Sequence, residues 1–160
     1  MGSTDDFRSE IVIDAPPAKV WSVVTDTRAL AQASPELMAM TPLRRGGWRT
    51  GQQYVGWNRR GLALWPTRNV VVDVQPERRL AWETRTSGVR WIFELEPEGT
   101  GTRLVERREF VRELPLVGRL FAKAFLGGVE EHADDLEADV SVTLTGLKAI
   151  AEGRPGSASS

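Results

Sequence analysis

The stretch "WIFELEPEGTGTRLVERREF", from Trp91 to Phe110, predicts a β-hairpin. Its first half alternates apolar and polar residues with the period of two typical of a strand, and residues 97–102 are rich in turn-forming types. The second half is crowded with charge. One face carries Glu106 and Arg108, and the other face carries a second Glu and a second Arg. Whichever face turns inward therefore brings an acid and a base with it.

Strand patterns occur on both sides of a helical segment. The short links between consecutive strands from residue 39 onward predict antiparallel neighbours, because a parallel crossover needs a much longer connection. Strands are predicted near residues 7–14, 39–46, 52–60, 63–75, 79–87, 89–97 and 102–112.

Three helices are predicted, two short ones after the first strand and a long one that ends at Ala151. Pro16 and Pro17 suit the first turn of a helix, where backbone N–H groups need no partner within the helix. Asp26 or Thr27 can cap a second short helix over residues 28–33. Apolar residues then recur every three or four positions from Val129 to Ala151.

The element order predicts an α+β fold of the helix-grip type. A seven-stranded antiparallel sheet has one face to bury, and the long C-terminal helix is its only large partner. A twisted sheet of this width curls. We therefore expect a curved sheet wrapped around the C-terminal helix, two short helices after the first strand, and a cavity between sheet and helix.

Length and composition exclude several classes of protein. The 160 residues suit one domain, assigned to 1–152, with 153–160 as a disordered tail. The 21 basic and 22 acidic side chains nearly cancel, and the Arg pairs at 44–45, 59–60, 78–79 and 107–108 look like solvated strand faces. We therefore expect no nucleic acid partner.

Other features point to a cytoplasmic protein. The chain has no Cys, no signal-peptide pattern at its N-terminus, and no apolar stretch long enough to span a membrane. No metal site and no cofactor are expected, since a single His without Cys makes a poor ligand set. No stable membrane insertion is expected, and a homodimer is compatible with the sequence.

Four segments carry a resemblance to a known family: "IVIDAPPAKVWSVVTD" (11–26), "GWNRRGLALWPTRNVVVDVQPERRLAW" (56–82), "WIFELEPEGTGTRL" (91–104) and "TLTGLKAIAEG" (143–153). Together they resemble the START-like (helix-grip, SRPBCC) superfamily, specifically its polyketide cyclase/dehydrase and lipid-transport branch. The resemblance implies the fold described above. It implies no single activity, because relatives include cyclases, hydrophobic-ligand carriers, hormone receptors and chaperone co-factors.

The expected function is binding of a hydrophobic small molecule, such as a lipid, polyketide or aromatic compound, in the cavity. The alternative is a polyketide cyclase/dehydratase that uses the same cavity, so whether the protein is an enzyme stays open. The aromatic rings either line this cavity or simply fill the core. The predicted lining consists of Val55, Trp57, Trp65, Trp82, Trp91, Phe93, Glu106, Arg108, Phe110, Phe125, Val129 and His132.

Three of these residues are candidates for moving protons: Glu106, Arg108 and His132. Glu106 and Arg108 share a strand face, so they either anchor a ligand or pair at the cavity mouth. The resemblance favours the face of Leu104 as the inner one, while the residue pattern alone leaves both faces open. His132 lies at the edge of the helical apolar stripe and is the obvious acid–base candidate, because histidine side chains titrate near neutral pH, but a surface or capping role is the interpretation favoured for a lone His.

Overall fold

The computed structural model describes residues 7–111 and 129–153, with the backbone alone for 129–139. The elements are β1 (Phe7–Ile13), α1 (Pro17–Val24), α2 (Thr27–Ala33), β2 (Leu37–Pro42), β3 (Gln53–Arg60), β4 (Ala63–Gln75), β5 (Arg79–Thr84), β6 (Val89–Glu98), β7 (Gly101–Phe110) and α3 (Val129–Ala151). The predicted fold class and element order are confirmed.

The strands form one curved antiparallel sheet in the order β1-β7-β6-β5-β4-β3-β2. From β2 to β7 each strand pairs with its neighbour along the chain, as the short links predict. The first strand, β1, pairs with β7 instead. The first and the last strand of the chain are therefore neighbours, and β7 lies between β1 and β6.

Some predicted boundaries were wrong by a few residues. The strand expected over 39–46 is β2, which begins at Leu37. The Leu37 N–H donates to the Ser34 hydroxyl at 3.0 Å, and this contact marks the start of the strand. The strand expected over 79–87 ends at Thr84, because the Gly88 N–H donates to the Thr84 carbonyl at 2.9 Å and closes a turn. Local polar contacts decided both ends.

Of the two predicted cap residues, Asp26 is the one used at the start of α2. Its carboxylate accepts the Arg28 N–H at 2.9 Å and satisfies one of the N–H groups that have no partner within the helix. In α1, Pro17 is the first helical residue, as its missing N–H allows.

The core lies between the helices and one face of the sheet, called the inner face below. Phe93 and Leu104 on this face belong to one apolar cluster with Leu144 and Leu147 of α3. The helix α3 packs on β1, β7, α1 and α2. Gly146 permits this close approach, since a Cβ there would lie 2.9 Å from the Ala33 Cα of α2.

The outer face of the sheet carries the second acid–base set of β7. The Arg107 guanidinium contacts Glu109 at 2.8 Å and Glu94 at 3.3 Å. Beneath such pairs Ile92 and Val105 are buried, because the alkyl stems of long charged side chains cover apolar neighbours. The outer charges are thus paired near solvent, and the other pair faces inward.

No helix in the described part of the chain is both long and apolar enough to cross a membrane.

Candidate functional site

The candidate site is built on the inner side of β7, where Glu106 and Arg108 follow Leu104 in the same phase. The Glu106 backbone lies opposite Phe93 of β6 and Ser9 of β1, and Arg108 lies opposite Trp91 and Phe7. Both charged side chains are buried, with 5% of Glu106 and none of Arg108 exposed. The register therefore places an acid and a base beside aromatic residues of two neighbouring strands.

The carboxyl group of Glu106 is buried, and one of its two oxygens is left unsatisfied by the described residues. Its Oε1 atom has no hydrogen-bond partner among the described residues. Burial raises the pKa of Glu106 to about 8, because an apolar environment disfavours the charged form. At neutral pH the carboxyl is therefore mostly protonated, and it can both donate and accept a hydrogen bond.

Arg108 is held by aromatic rings. Its guanidinium carbon lies 5.8 Å from the ring centre of Phe7 and 5.6 Å from that of Phe110, within the range of cation–π attraction. The guanidinium remains charged at every pH relevant to proteins. The site therefore combines a neutral carboxyl with a permanent cation two residues away on the same strand face.

A run of rings leads across the inner face towards Glu106. Trp48 stacks on Tyr54 with centroids 4.6 Å apart and contacts Trp82 at 5.6 Å, and Trp82 lies 5.8 Å from Phe93. The Trp48 indole N–H also donates to the Thr25 carbonyl at 2.7 Å, which ties the β2–β3 loop to the end of α1. Sequence reasoning missed Trp48, although a lone aromatic in the polar, Gly-rich stretch 44–53 was a readable signal.

A chain of polar side chains crosses β3, β4 and β5 on the same face, and the sequence did not predict it. The Thr84 hydroxyl donates to Asn69 at 2.7 Å, and the Asn69 amide donates to the Thr67 hydroxyl at 3.1 Å. The Asn58 amide reaches the same hydroxyl at 3.3 Å. These side chains form hydrogen bonds with one another. In this respect they differ from Glu106, whose Oε1 atom has no partner among the described residues.

Gly56 leaves the room that this polar chain needs, because a Cβ there would lie 2.6 Å from the Thr67 hydroxyl and 3.1 Å from the Asn69 amide. The Gly56→Ala variant is expected to lose about 1–3 kcal/mol of stability through this overlap. Urea unfolding of Gly56→Ala measures the loss, and adding Thr67→Ala should recover part of it by removing the nearer atom. An unchanged urea midpoint for Gly56→Ala would contradict the crowding.

The predicted lining residues fall into three groups. Trp82, Trp91, Phe93, Glu106, Arg108 and Phe110 lie together on the inner face, and Trp65 shares that face opposite Asn58, near the tip of the β3–β4 hairpin. Phe125 lies outside the described residues. Val129 and His132 belong to the first turns of α3, where the side chains are outside the described part of the structure.

Two residues of the predicted lining require a correction. Val55 and Trp57 lie on the outer face, and Trp57 is 43% exposed. The reason is the phase of β3: Tyr54 and Gly56 are the buried, inward positions, so the residues that alternate with them point away. The alternation of faces along β3 was predicted correctly, but Val55 and Trp57 were assigned to the wrong face.

Chemically, the arrangement can bind and polarise an oxygen atom of a ligand. A protonated Glu106 can donate to a carbonyl or accept from a hydroxyl group. Arg108 adds a positive potential, which an apolar surround strengthens. Trp91 and Phe110, both half-buried, offer apolar area beside these polar groups.

Comparison with known proteins gives a match over almost the whole chain. The family model described as "Polyketide cyclase / dehydrase and lipid transport" matches residues 4–151. A search of curated proteins gives no significant match.

Several solved structures are similar to this chain. The Polyketide_cyc-like protein Cgl2372 from Corynebacterium glutamicum is 27% identical with a TM-score of 0.62, over 92% of this chain and 91% of that one. The di-domain ARO/CYC protein BexL of the BE-7585A biosynthetic pathway is 21% identical with a TM-score of 0.68, over 94% of this chain and 50% of BexL. Ara h 8.0201 is 12% identical with a TM-score of 0.67, over 93% of this chain and 98% of that one. At these lower identities the likeness establishes the fold alone.

Proposed function

Because this chain belongs to the polyketide cyclase / dehydrase and lipid transport family, we propose that it binds a hydrophobic small molecule between the inner face of the sheet and α3. Glu106 and Arg108 anchor the polar end of that molecule. The ligand class is a lipid, a polyketide or a similar aromatic compound with at least one carbonyl or hydroxyl oxygen.

The observation that carries this proposal is the buried Oε1 atom of Glu106, which has no hydrogen-bond partner among the described residues. A buried polar atom without a hydrogen bond costs about 1–3 kcal/mol. A ligand oxygen placed beside Oε1 would remove the cost on binding. The charge of Arg108 favours a ligand group that is negative or carries a carbonyl.

The exposure of the inner face supports the same placement. Leu80, Phe93 and Leu104 are covered, whereas Trp65, Trp91 and Phe110 are only half-buried. An apolar body lying across the second group would bury further aromatic area within reach of the two polar side chains. We therefore assign the ligand's apolar part to the surface formed by Trp65, Trp91 and Phe110, beyond Arg108 as seen from Leu104.

The first experiment identifies the ligand. Full-length protein purified from its own host is expected to retain a hydrophobic molecule that native mass spectrometry detects. The ligand, or a library of fatty acids and flat aromatic compounds, should raise the thermal unfolding midpoint and change Trp fluorescence. Protein that retains nothing and responds to no compound in the library would contradict a binding function.

A second test locates the anchor. With a ligand that carries a carbonyl or carboxylate, Arg108→Met is expected to weaken binding about tenfold to a hundredfold, the usual loss for a hydrogen bond to a charged group. Arg107→Met, on the outer face of the same strand, is the matched control and should bind like the parent. Arg108→Lys keeps the charge and should recover part of the affinity. Equal weakening by both Met variants would remove Arg108 from the site.

A cyclase or dehydratase is the second candidate function, and the protonation state of Glu106 is the observation that favours it. A carboxyl with a pKa of about 8 is matched to proton transfer near neutral pH. In that case Glu106 would donate its proton to a ketone oxygen while Arg108 stabilises the developing negative charge. Positioning of a folded poly-ketone chain would supply much of the remaining rate.

Glu106→Gln separates carrier from enzyme, because the amide preserves size and hydrogen bonding but transfers no proton. If the protein turns over a poly-ketone substrate, Glu106→Gln is expected to lower kcat by about two to four powers of ten while binding persists. Glu109→Gln, which lies on the outer face, should leave kcat unchanged. A carrier shows no turnover in either protein, and turnover that survives Glu106→Gln would remove Glu106 from the chemistry.

A further inference from the structure

Positive charge is concentrated at one end of the sheet. Residues 37–72 contain six Arg and no Lys, Asp or Glu, so the remainder of the chain carries 15 basic and 22 acidic side chains. The segment has a formal charge of +6 against −7 elsewhere, which sums to the net charge of −1. It forms β2, β3 and most of β4, at the edge of the sheet. The near-zero net charge therefore conceals a basic edge, in which one of the six charges, that of Arg60, is paired with Glu36 at 3.1 Å.

The same end of the sheet exposes apolar side chains. Of the eight large apolar residues exposed in the described part of the chain, five lie within 37–72. At the tip of the β3–β4 hairpin, Leu62 is 101% exposed, and Leu64 and Trp57 are exposed on the outer face behind it. Such a concentration on one surface indicates an interaction site rather than the usual scatter of single residues.

The strand register joins these features into one surface, called the hairpin patch. On the outer face Val55 lies opposite Arg68, Trp57 opposite Pro66, and Arg59 opposite Leu64, with Leu62 in the turn. The hairpin patch consists of Val55, Trp57, Arg59, Leu62, Leu64, Pro66 and Arg68. A cationic residue therefore lies opposite an apolar residue at each end of this surface, with Trp57 and Pro66 between them and Leu62 projecting from the turn.

The charges of the hairpin patch are not cancelled locally. The Arg59 Nε donates to the Gly61 carbonyl at 3.1 Å, and the Arg68 Nε donates to the Gln53 side chain at 2.9 Å. Within the described residues neither guanidinium forms an ion pair with a carboxylate. These neutral contacts hold the guanidinium groups at the surface and leave their charge to act on an external partner. Acids elsewhere are screened over a distance of about 10 Å at moderate salt.

We propose that the hairpin patch docks the protein on an anionic lipid bilayer. Leu62 would enter the boundary between head groups and acyl chains, Trp57 would lie at the interface that its amphipathic ring prefers, and Arg59 and Arg68 would contact lipid phosphates. Docking is peripheral and reversible, since the apolar part of the hairpin patch is small. The inference rests on this surface alone and needs no occupant of the inner face.

A bilayer fits the hairpin patch better than other partners do. A second copy would bring like charges together across a two-fold axis, which opposes association. Nucleic acid requires polar contacts to phosphates and bases, whereas Trp57, Leu64 and Pro66 lie between the cations of this surface. A folded acidic protein would need a hollow shaped for the projecting Leu62, while a bilayer deforms around it.

Vesicle co-sedimentation of the full chain tests the docking. The parent is expected to bind phosphatidylcholine vesicles containing phosphatidylserine at least about tenfold more strongly than pure phosphatidylcholine, with the difference shrinking at high salt. Leu62→Ser should weaken this binding about tenfold, and the double variant Arg59→Glu/Arg68→Glu more than about tenfold. These residues are exposed, so thermal unfolding midpoints should stay at the parent value.

Matched controls lie away from the hairpin patch. Val142→Ser removes an apolar side chain of α3 that is 52% exposed, and Arg78→Glu reverses a charge in the β4–β5 turn. Both should bind vesicles within about twofold of the parent, because Arg78 and Val142 are too far away to touch the same lipids. Equal binding of the parent to both vesicle types would overturn the proposal, as would undiminished binding by the hairpin patch variants. Sedimentation of the parent as a dimer that Leu62→Ser dissociates would assign the surface to a second copy instead.

Discussion

The Glu106→Gln variant is expected to become more stable than the parent as the pH rises from 4.5 towards 8. The folded parent keeps a proton on Glu106 up to a pKa of about 8, whereas the unfolded chain loses it near 4.5. Unfolding in this window therefore releases a proton, and the parent's free energy of unfolding falls by up to about 1.4 kcal/mol per pH unit. Gln does not titrate, so the variant escapes this loss, and the difference approaches roughly 4 kcal/mol at pH 8.

The sign of this effect separates Glu106 from an ordinary surface carboxylate. A salt-bridged Glu has a lowered pKa and loses stability as the pH falls, while a buried neutral Glu loses stability as the pH rises. Urea unfolding of parent and variant at several pH values between 4 and 8.5, an interval set by the two pKa values, measures the difference. Glu109→Gln is the control, and its difference from the parent should not grow as the pH rises towards 8. A parent-to-Glu106→Gln difference that does not change with pH would show that folding does not raise the pKa of Glu106.

Truncation of Leu147 to Ala is expected to cost about 2–5 kcal/mol of stability. Leu147 is fully buried on α3 within the cluster that joins the helices to the sheet, and removing its side chain leaves a cavity in addition to the lost apolar burial. Val142→Ala on the same helix is the matched control, because Val142 is 52% exposed and should change stability by less than about 0.5 kcal/mol.

Chemical denaturation of the two variants therefore tests how the C-terminal helix packs on the sheet. A Leu147→Ala cost no larger than that of Val142→Ala would mean that the helix does not pack on the sheet in this orientation. If the pH-dependent gain of Glu106→Gln is the same in the Leu147→Ala background as in the parent, the core and the candidate site contribute to stability separately.

The periodicity of the sequence identified the secondary structure because this signal is local. The apolar repeat from Val129 to Ala151 and the alternation in Trp91–Phe110 each depend on which face of a single element is buried. The strand ends at Leu37 and Thr84 were misplaced, because single side-chain and turn hydrogen bonds set them. The candidate site was harder to predict, since it depends on which faces of different strands meet.

Trp57 shows this limit clearly. Alternation placed Trp57 and Val55 in one phase of β3 but could not say which phase is inward. The pairing of β3 with β4 decided it, because the inward residue Gly56 makes room for the Thr67 and Asn69 side chains. Because Gly56 faces inward, the next residue, Trp57, faces outward and belongs to the hairpin patch. Trp48, which no periodic pattern includes, joined the inner face only through its contacts with Thr25, Tyr54 and Trp82.

The sequence by itself determined that β7 must carry an acid and a base inward, because both of its faces hold one of each. Only the tertiary structure decided which pair that is and what state it adopts. Pairing with β1 and β6 buried Glu106 opposite Phe93 and Ser9 and left the other pair among the ion pairs of the outer face. A carboxyl's pKa depends on the solvent and charges around it, and here part of that environment is β1, which lies far from β7 in the sequence. The protonated state of Glu106 is therefore a property of the assembled sheet and cannot be read from residues 91–110 alone.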